Sequence, residues 1–144
     1  MIEILVAIGI LALIFALGLI MSMDMYRGYS RRSERDTLVS ILERARSRAM
    51  ANAYQSQWGV CYDGANYYLF SGPHYMGAIT KDAIQGNPGV SIVDTSAIKK
   101  LSCDPDGGIV FMQLTGNASN TSMTLTQGAV TSHISINTEG LITW

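Results

Sequence analysis

Hydrophobic positions follow three successive patterns along this chain. From Ile4 to Met23 the sequence is uncharged and shows no polar face. As a helix rising ~1.5 Å per residue, such a run spans ~30 Å, the thickness of a bilayer core. It lacks the basic flank, short apolar core and small-residue end of a cleavable secretory signal, so it is expected to be retained as an anchor. From Tyr26 to Ala53 there is no proline and one glycine, Gly28. Leu38, Leu42, Ala45, Ala49 and Ala53 recur there at three- and four-residue spacing, painting one narrow apolar stripe. Together these patterns predict one helix of about 50 residues, lipid-compatible in its first half and amphipathic in its second.

After the helix the pattern changes to short alternating runs. Gln57–Asp63 and Asn66–Ser71, joined at Asp63-Gly64, predict a hairpin. Gly72–Pro88 reads as polar and irregular, with Gly72-Pro73 and Asn87-Pro88-Gly89 as turns. Strands are predicted at Val90–Asp94, Ile109–Leu114, Ser122–Thr126, His133–Asn137 and Leu141–Trp144. The expected fold class is α+β, a long N-terminal helix packed on a mostly antiparallel β-sheet domain. Its parts would be 1–25 (membrane or assembly half of the helix), 26–56 (amphipathic half) and 57–144 (β domain).

Charge sharpens this division. Between Asp24 and Arg48 seven arginines oppose four acids, a balance of +3; from Ala49 onward three lysines oppose six acids, a balance of −3. No Lys or Arg occurs from Ile109 to Trp144, so nucleic-acid binding by the tail is not expected. Arg27, Arg31, Arg32 and Arg35 follow the apolar run directly. They read as a solvated face that also meets lipid headgroups. The alternative is pairing between subunits with Asp24, Glu34, Asp36 or a neighbour's acidic β domain. Cys61 and Cys103 are too far apart for the usual zinc arrangements. In an extracytoplasmic domain they most simply form one disulfide; the alternative is two small buried thiols. His74 and His133 have no second metal ligand nearby in sequence, and no nucleophile elbow or phosphate loop is visible. Asp104-Pro-Asp-Gly-Gly reads as a turn, since a calcium loop's later bidentate acid is missing. The sequons at Asn117 and Asn120 read as composition. No catalytic residue, cofactor or metal is expected.

One charge stands apart. Glu3 heads the apolar run, where an ionised carboxylate is costly without a partner. The run IEILVAIGILALI resembles the N-terminal signature of type IV pilins and pseudopilins. LVSILERARSRAMANAYQSQWGVCYDG, GGIVF and MTLTQGAVTSHISINTEGLI are similar to the H-type pseudopilins of general secretion and the FimT-like minor pilins. The resemblance implies a processed, methylated subunit that sits in the inner membrane and then joins a surface or periplasmic filament. Its implied partners are further copies of itself, prepilin peptidase and the assembly machinery. Glu3 would match the family's helix acid, which meets the N-terminal amine of a neighbouring subunit; the bland alternative is a chance acid at a membrane boundary. Family members carry that acid at the fifth mature position, so the numbering is expected to lack two residues and a leader. Many members also carry a proline in this helix. Here Gly9 and Gly18 are the helix-weakening positions, and deformation at Gly18 in a filament is expected. Two other readings stay open: a low-copy accessory pseudopilin, and a membrane-anchored binding domain with Tyr67, Tyr68 and Tyr75 lining its site.

Overall fold

A computed structural model describes the backbone of residues 2–94, 101–105, 107–128 and 130–144; the side chains of 18–24, 27, 93 and 94 lie outside the described set. Helical backbone runs over α1, Ile2–Met50. A short 3-10 turn follows, and then eight strands: β1 Trp58–Tyr62, β2 Asn66–Ser71, β3 Lys81–Gln85, β4 Ser91–Asp94, β5 Ile109–Phe111, β6 Thr121–Gln127, β7 Val130–Ile136 and β8 Ile142–Thr143.

The helical stripe does what its spacing implies. Leu38, Ile41, Leu42, Ala45 and Ala49 are buried, and the alanines let the strands approach the helix backbone closely. They share one core with Trp58, Val60, Tyr67, Leu69, Ile109 and Phe111 of the first strands, and with Met123, Leu125, Ile134, Ile136 and Ile142 of the last. α1 ends where Asn52 turns into the left-handed region at φ 53°, which asparagine tolerates. The freed Ala49 carbonyl accepts from the N–H of Asn52 at 3.1 Å and of Leu114 at 2.9 Å. Trp58 Nε1 donates to the Ala53 carbonyl at 3.0 Å, and Arg48 lies 4.6 Å over its ring while pairing with Asp82.

The fold-class expectation is corrected in two respects. The apolar part of the helix does not pack on the β domain where its side chains are described, 2–17, and contributes nothing to the core, whose helical residues begin near Glu34. A run that is apolar on every face has no stripe to aim at a sheet, so only the amphipathic half packs. The β domain, moreover, holds two four-stranded sheets, in orders β3-β2-β1-β5 and β4-β6-β7-β8, rather than one. Turn chemistry divides them. Gly86-Asn87-Pro88-Gly89 carries the chain from β3 in the first sheet to β4 in the second. The Met112–Gly116 turn carries it from β5 to β6, shortening the strand expected over Ile109–Leu114. β3 itself was expected to be irregular. Its exposed, mixed-charge residues hide the pairing of Asn66–Phe70 with Lys81–Gln85.

Other expectations hold. β1 and β2 pair in antiparallel register, Trp58 opposite Ser71 and Tyr62 opposite Tyr67. Their turn is closed by Asp63, whose Oδ1 accepts from the N–H groups of Ala65 and Asn66. These bonds hold the Asp63 carboxyl below its ordinary range. The Asn137-x-x-Gly140 turn closes in the same manner, with Asn137 Oδ1 accepting from Glu139 and Leu141 N–H. Gly140 sits at φ 72°, and a Cβ there would lie 1.9 Å from the Gly116 carbonyl oxygen. Only glycine fits.

Candidate assembly surface

Two surfaces remain once the core is assigned. The first is the apolar stretch itself. Its large side chains between Ile2 and Leu17 are 55% to 76% exposed. That exceeds anything a lone chain in water tolerates, since burying each such side chain is worth ~1.5–3 kcal/mol. Glu3 lies in the first turn of α1, where the positive end of the helix dipole favours a carboxylate. No described side chain of the β domain or the arginine segment bonds to it. Gly9 is helical and has open space around it, so nothing within the chain requires glycine there. Gly18 lies on helical backbone, but its surroundings fall outside the described residues, as do the side chains through Met23 of the expected span. Among the described residues no helix is long and apolar enough to cross a membrane.

The second surface is the arginine segment, which the structure divides. Arg31 reaches across to β7, donating to the Thr131 carbonyl at 2.9 Å and to Ser132 Oγ. Arg35 pairs with its neighbour Asp36 at 2.7 Å. Arg32 is exposed and lines a shallow notch with Met25, Gly28 and Tyr29. The Arg27 side chain lies outside the described residues. Arg31 is therefore used within the chain, whereas Arg32 remains on the surface.

Glu34 is the correction that matters most. Considered as a partner for a neighbour's arginine, it is instead buried within its own chain. Tyr67 Oη donates to Glu34 Oε1, and the Asn87 N–H donates to Oε2 at 3.1 Å. Asn87 Nδ2 in turn reaches Ser30 Oγ at 2.6 Å. Burial, and then the bond to Glu34, push the Tyr67 hydroxyl well above the ordinary tyrosine range. The sequence held a signal for this: Glu34 lies one turn before Leu38, on the apolar stripe itself. An acid on a buried stripe requires donors.

The tyrosines expected to line one binding site do not share one. Tyr67 faces the core, while Tyr68 meets Tyr75 with ring centroids 5.2 Å apart and planes tilted by 56°, in the smaller cluster around Phe70 and the disulfide. Strand alternation separates neighbours 67 and 68 by construction. Cys61 and Cys103 are bonded, with 5.0 Å between their Cα atoms, and tie β1 to the loop before β5. His133 Nδ1 lies 3.0 Å from Thr124 Oγ1 across β6 and β7. Among the described residues no group of three His, Cys, Asp or Glu side chains could hold a metal. Asp104 accepts from Ser102 Oγ in its turn, and Asp106 lies outside the described residues. No family model, curated protein or solved structure matches this chain.

Proposed function

We propose that the chain is a non-enzymatic structural subunit of a type IV pilus-like filament. The observation that carries the proposal is an exposed apolar helical stretch, residues 2–17, bearing the single carboxylate Glu3, beside a described core that contains none of it. Such a stretch requires an apolar environment supplied from outside, first by the inner membrane and then by other copies. A carboxylate within that environment requires a cation, and the N-terminal amine of a neighbouring subunit supplies one per copy. Head-to-tail contact of this heterologous kind generates an open filament when its rotation does not close. Prepilin peptidase and the assembly machinery are the accessory partners of this reading. A binding domain displaying Tyr67, Tyr68 and Tyr75 is disfavoured by the burial of Tyr67 against Glu34.

The test is Glu3→Ala beside Glu3→Gln and wild type, comparing surface filament with membrane-bound monomer. Monomer folding should be unchanged, because Glu3 touches no core residue. Filament should be lost in Glu3→Ala, since stranding a buried cation costs ~3–5 kcal/mol. Glu3→Gln keeps the shape without the charge and should fail nearly as badly. Wild-type filament from Glu3→Ala would sink the pairing mechanism.

A further inference from the structure

A cleft opens where the chain crosses from the first sheet to the second. It is lined by Tyr62 at the end of β1, by Pro88, Gly89 and Ser91 leading into β4, and by Thr126 and Gln127 at the end of β6. Its volume is about 450 Å³, inside the roughly 300–1,000 Å³ of small-molecule sites. Bonds within the chain hold its lining in place. The Tyr62 hydroxyl donates to the Gly64 carbonyl at 2.8 Å, and its ring lies 4.8 Å from that of Tyr67. Asn87 accepts from the Gly89 N–H at 2.9 Å while its own N–H is held by Glu34. Against this order one group stands out. The Gln127 side chain makes no hydrogen bond among the described residues, although its Oε1 is buried. A buried amide oxygen without a donor is costly. The other amide atom, Nε2, lies beside the turn, 3.7 Å from where a Cβ on Gly89 would stand. A half-turn of the amide exchanges the two atoms, so Gln127 can either donate to a guest or accept from it. The exposed Ser91 hydroxyl is also without a partner among the described residues.

The chemistry of the lining restricts the guest. No lining residue carries a charge, so a charged guest would lose hydration without gaining a counter-charge. Asp63 and Glu34 stand outside the lining and are already occupied by donors of their own chain. Their field reaches Tyr62 and opposes an anion. What the cleft offers instead is an aromatic ring, a proline ring, a free hydroxyl and an unpaired amide. A pyranose matches that set, because it presents an apolar C–H face to a ring and hydroxyls that both donate and accept. We infer that this cleft binds a neutral sugar, with Tyr62 packing on its C–H face and Gln127 and Ser91 bonding its hydroxyls. The site goes beyond the filament reading and does not depend on it.

The experiment titrates the isotope-labelled full chain, in micelles of a detergent that is not a glycoside, with methyl glucoside, N-acetylglucosamine and glucose 6-phosphate. The Gln127 side-chain amide and the Gly89 and Ser91 backbone amides are followed by NMR. At least one of the two neutral sugars should shift all three signals saturably, with a Kd of about 1–10 mM. Glucose 6-phosphate should bind at least about fivefold more weakly, for want of a counter-charge. Gln127→Leu should weaken sugar binding about tenfold while leaving the melting temperature at or above that of wild type, since the amide has no bond to lose. Ser91→Ala, at an exposed hydroxyl, is the second variant and should weaken binding several-fold. No saturable shift from either neutral sugar would mean that the cleft holds water only and would overturn the inference. Tighter binding of the phosphate ester, shifts confined to other residues, or wild-type affinity in both variants would overturn it too.

Discussion

At the scale of single residues, the decisive group is Glu34, a carboxylate removed from water and kept there by donors from two distant segments. Its partner Tyr67 must stay protonated for the bond to exist. The folded-state pKa of Tyr67 is raised above its ordinary value of 10.0, so its contribution is fully present below pH 10 and is lost as pH rises beyond that. Tyr62, raised by burial and then by Glu34 and Asp63, adds to the same alkaline loss. Tyr67→Phe should therefore cost ~1–3 kcal/mol at neutral pH, by leaving a buried carboxylate short of a donor. The same variant should show a shallower loss of stability between pH 10 and 12 than wild type. Urea denaturation at both pH values measures the two effects, and an unchanged alkaline slope would remove Tyr67 from the account. The sequence shows Glu34 only as one acid among arginines. Its donors arrive from positions 67 and 87, a long-range pairing that local pattern cannot supply.

Among elements, what was legible follows from local chemistry. The β1–β2 hairpin was readable because Asp63-Gly64 turns the chain and apolar residues alternate on either side. The helix stripe was readable because its period is local too. β3 was not, since an edge strand with both faces wet has no alternation to detect. Nor was the split into two sheets, which depends on which strands meet across long loops. The covalent tie between Cys61 and Cys103 belongs to this scale, because it fixes β1 against a loop whose described residues hold few other bonds to the first sheet. Tyr62 N–H to the Leu101 carbonyl, at 2.6 Å, is one of them. The sequence separation is 42 residues, for which the chain-entropy model gives ~4 kcal/mol. Replacing both cysteines with alanine should lower the urea midpoint accordingly. It should also speed amide exchange at residues 101–105 and 107–108 more than in β6 and β7. Equal acceleration in both sheets would mean that the bond acts only through the unfolded chain.

Across the whole molecule the chain divides its labour by position. Among the described side chains, Ser30, Arg31 and Glu34 are the first helical residues that bond to the β domain, through Asn87, through β7 and through Tyr67. The described side chains before them are exposed, and only Gly28 among the described residues there is half-buried. In the sequence, twenty uncharged residues followed by an amphipathic stripe are two different surfaces, but the occupant of the first is not legible there, because an all-apolar face specifies no particular partner. Deleting residues 1–24 provides the test. The fragment from Met25 keeps every side chain described as buried and every bond between helix and strands named above, so its unfolding free energy should match that of the detergent-solubilised full chain to within about 0.5 kcal/mol, as for a surface change. It should also remain monomeric at concentrations where the full chain associates, because the exposed apolar area driving association has been removed. Analytical ultracentrifugation and urea melts of both proteins decide the matter. A large drop in the fragment's stability would show that the apolar stretch belongs to the domain's own core. Persistent association of the fragment would place the self-assembly surface on the β domain instead.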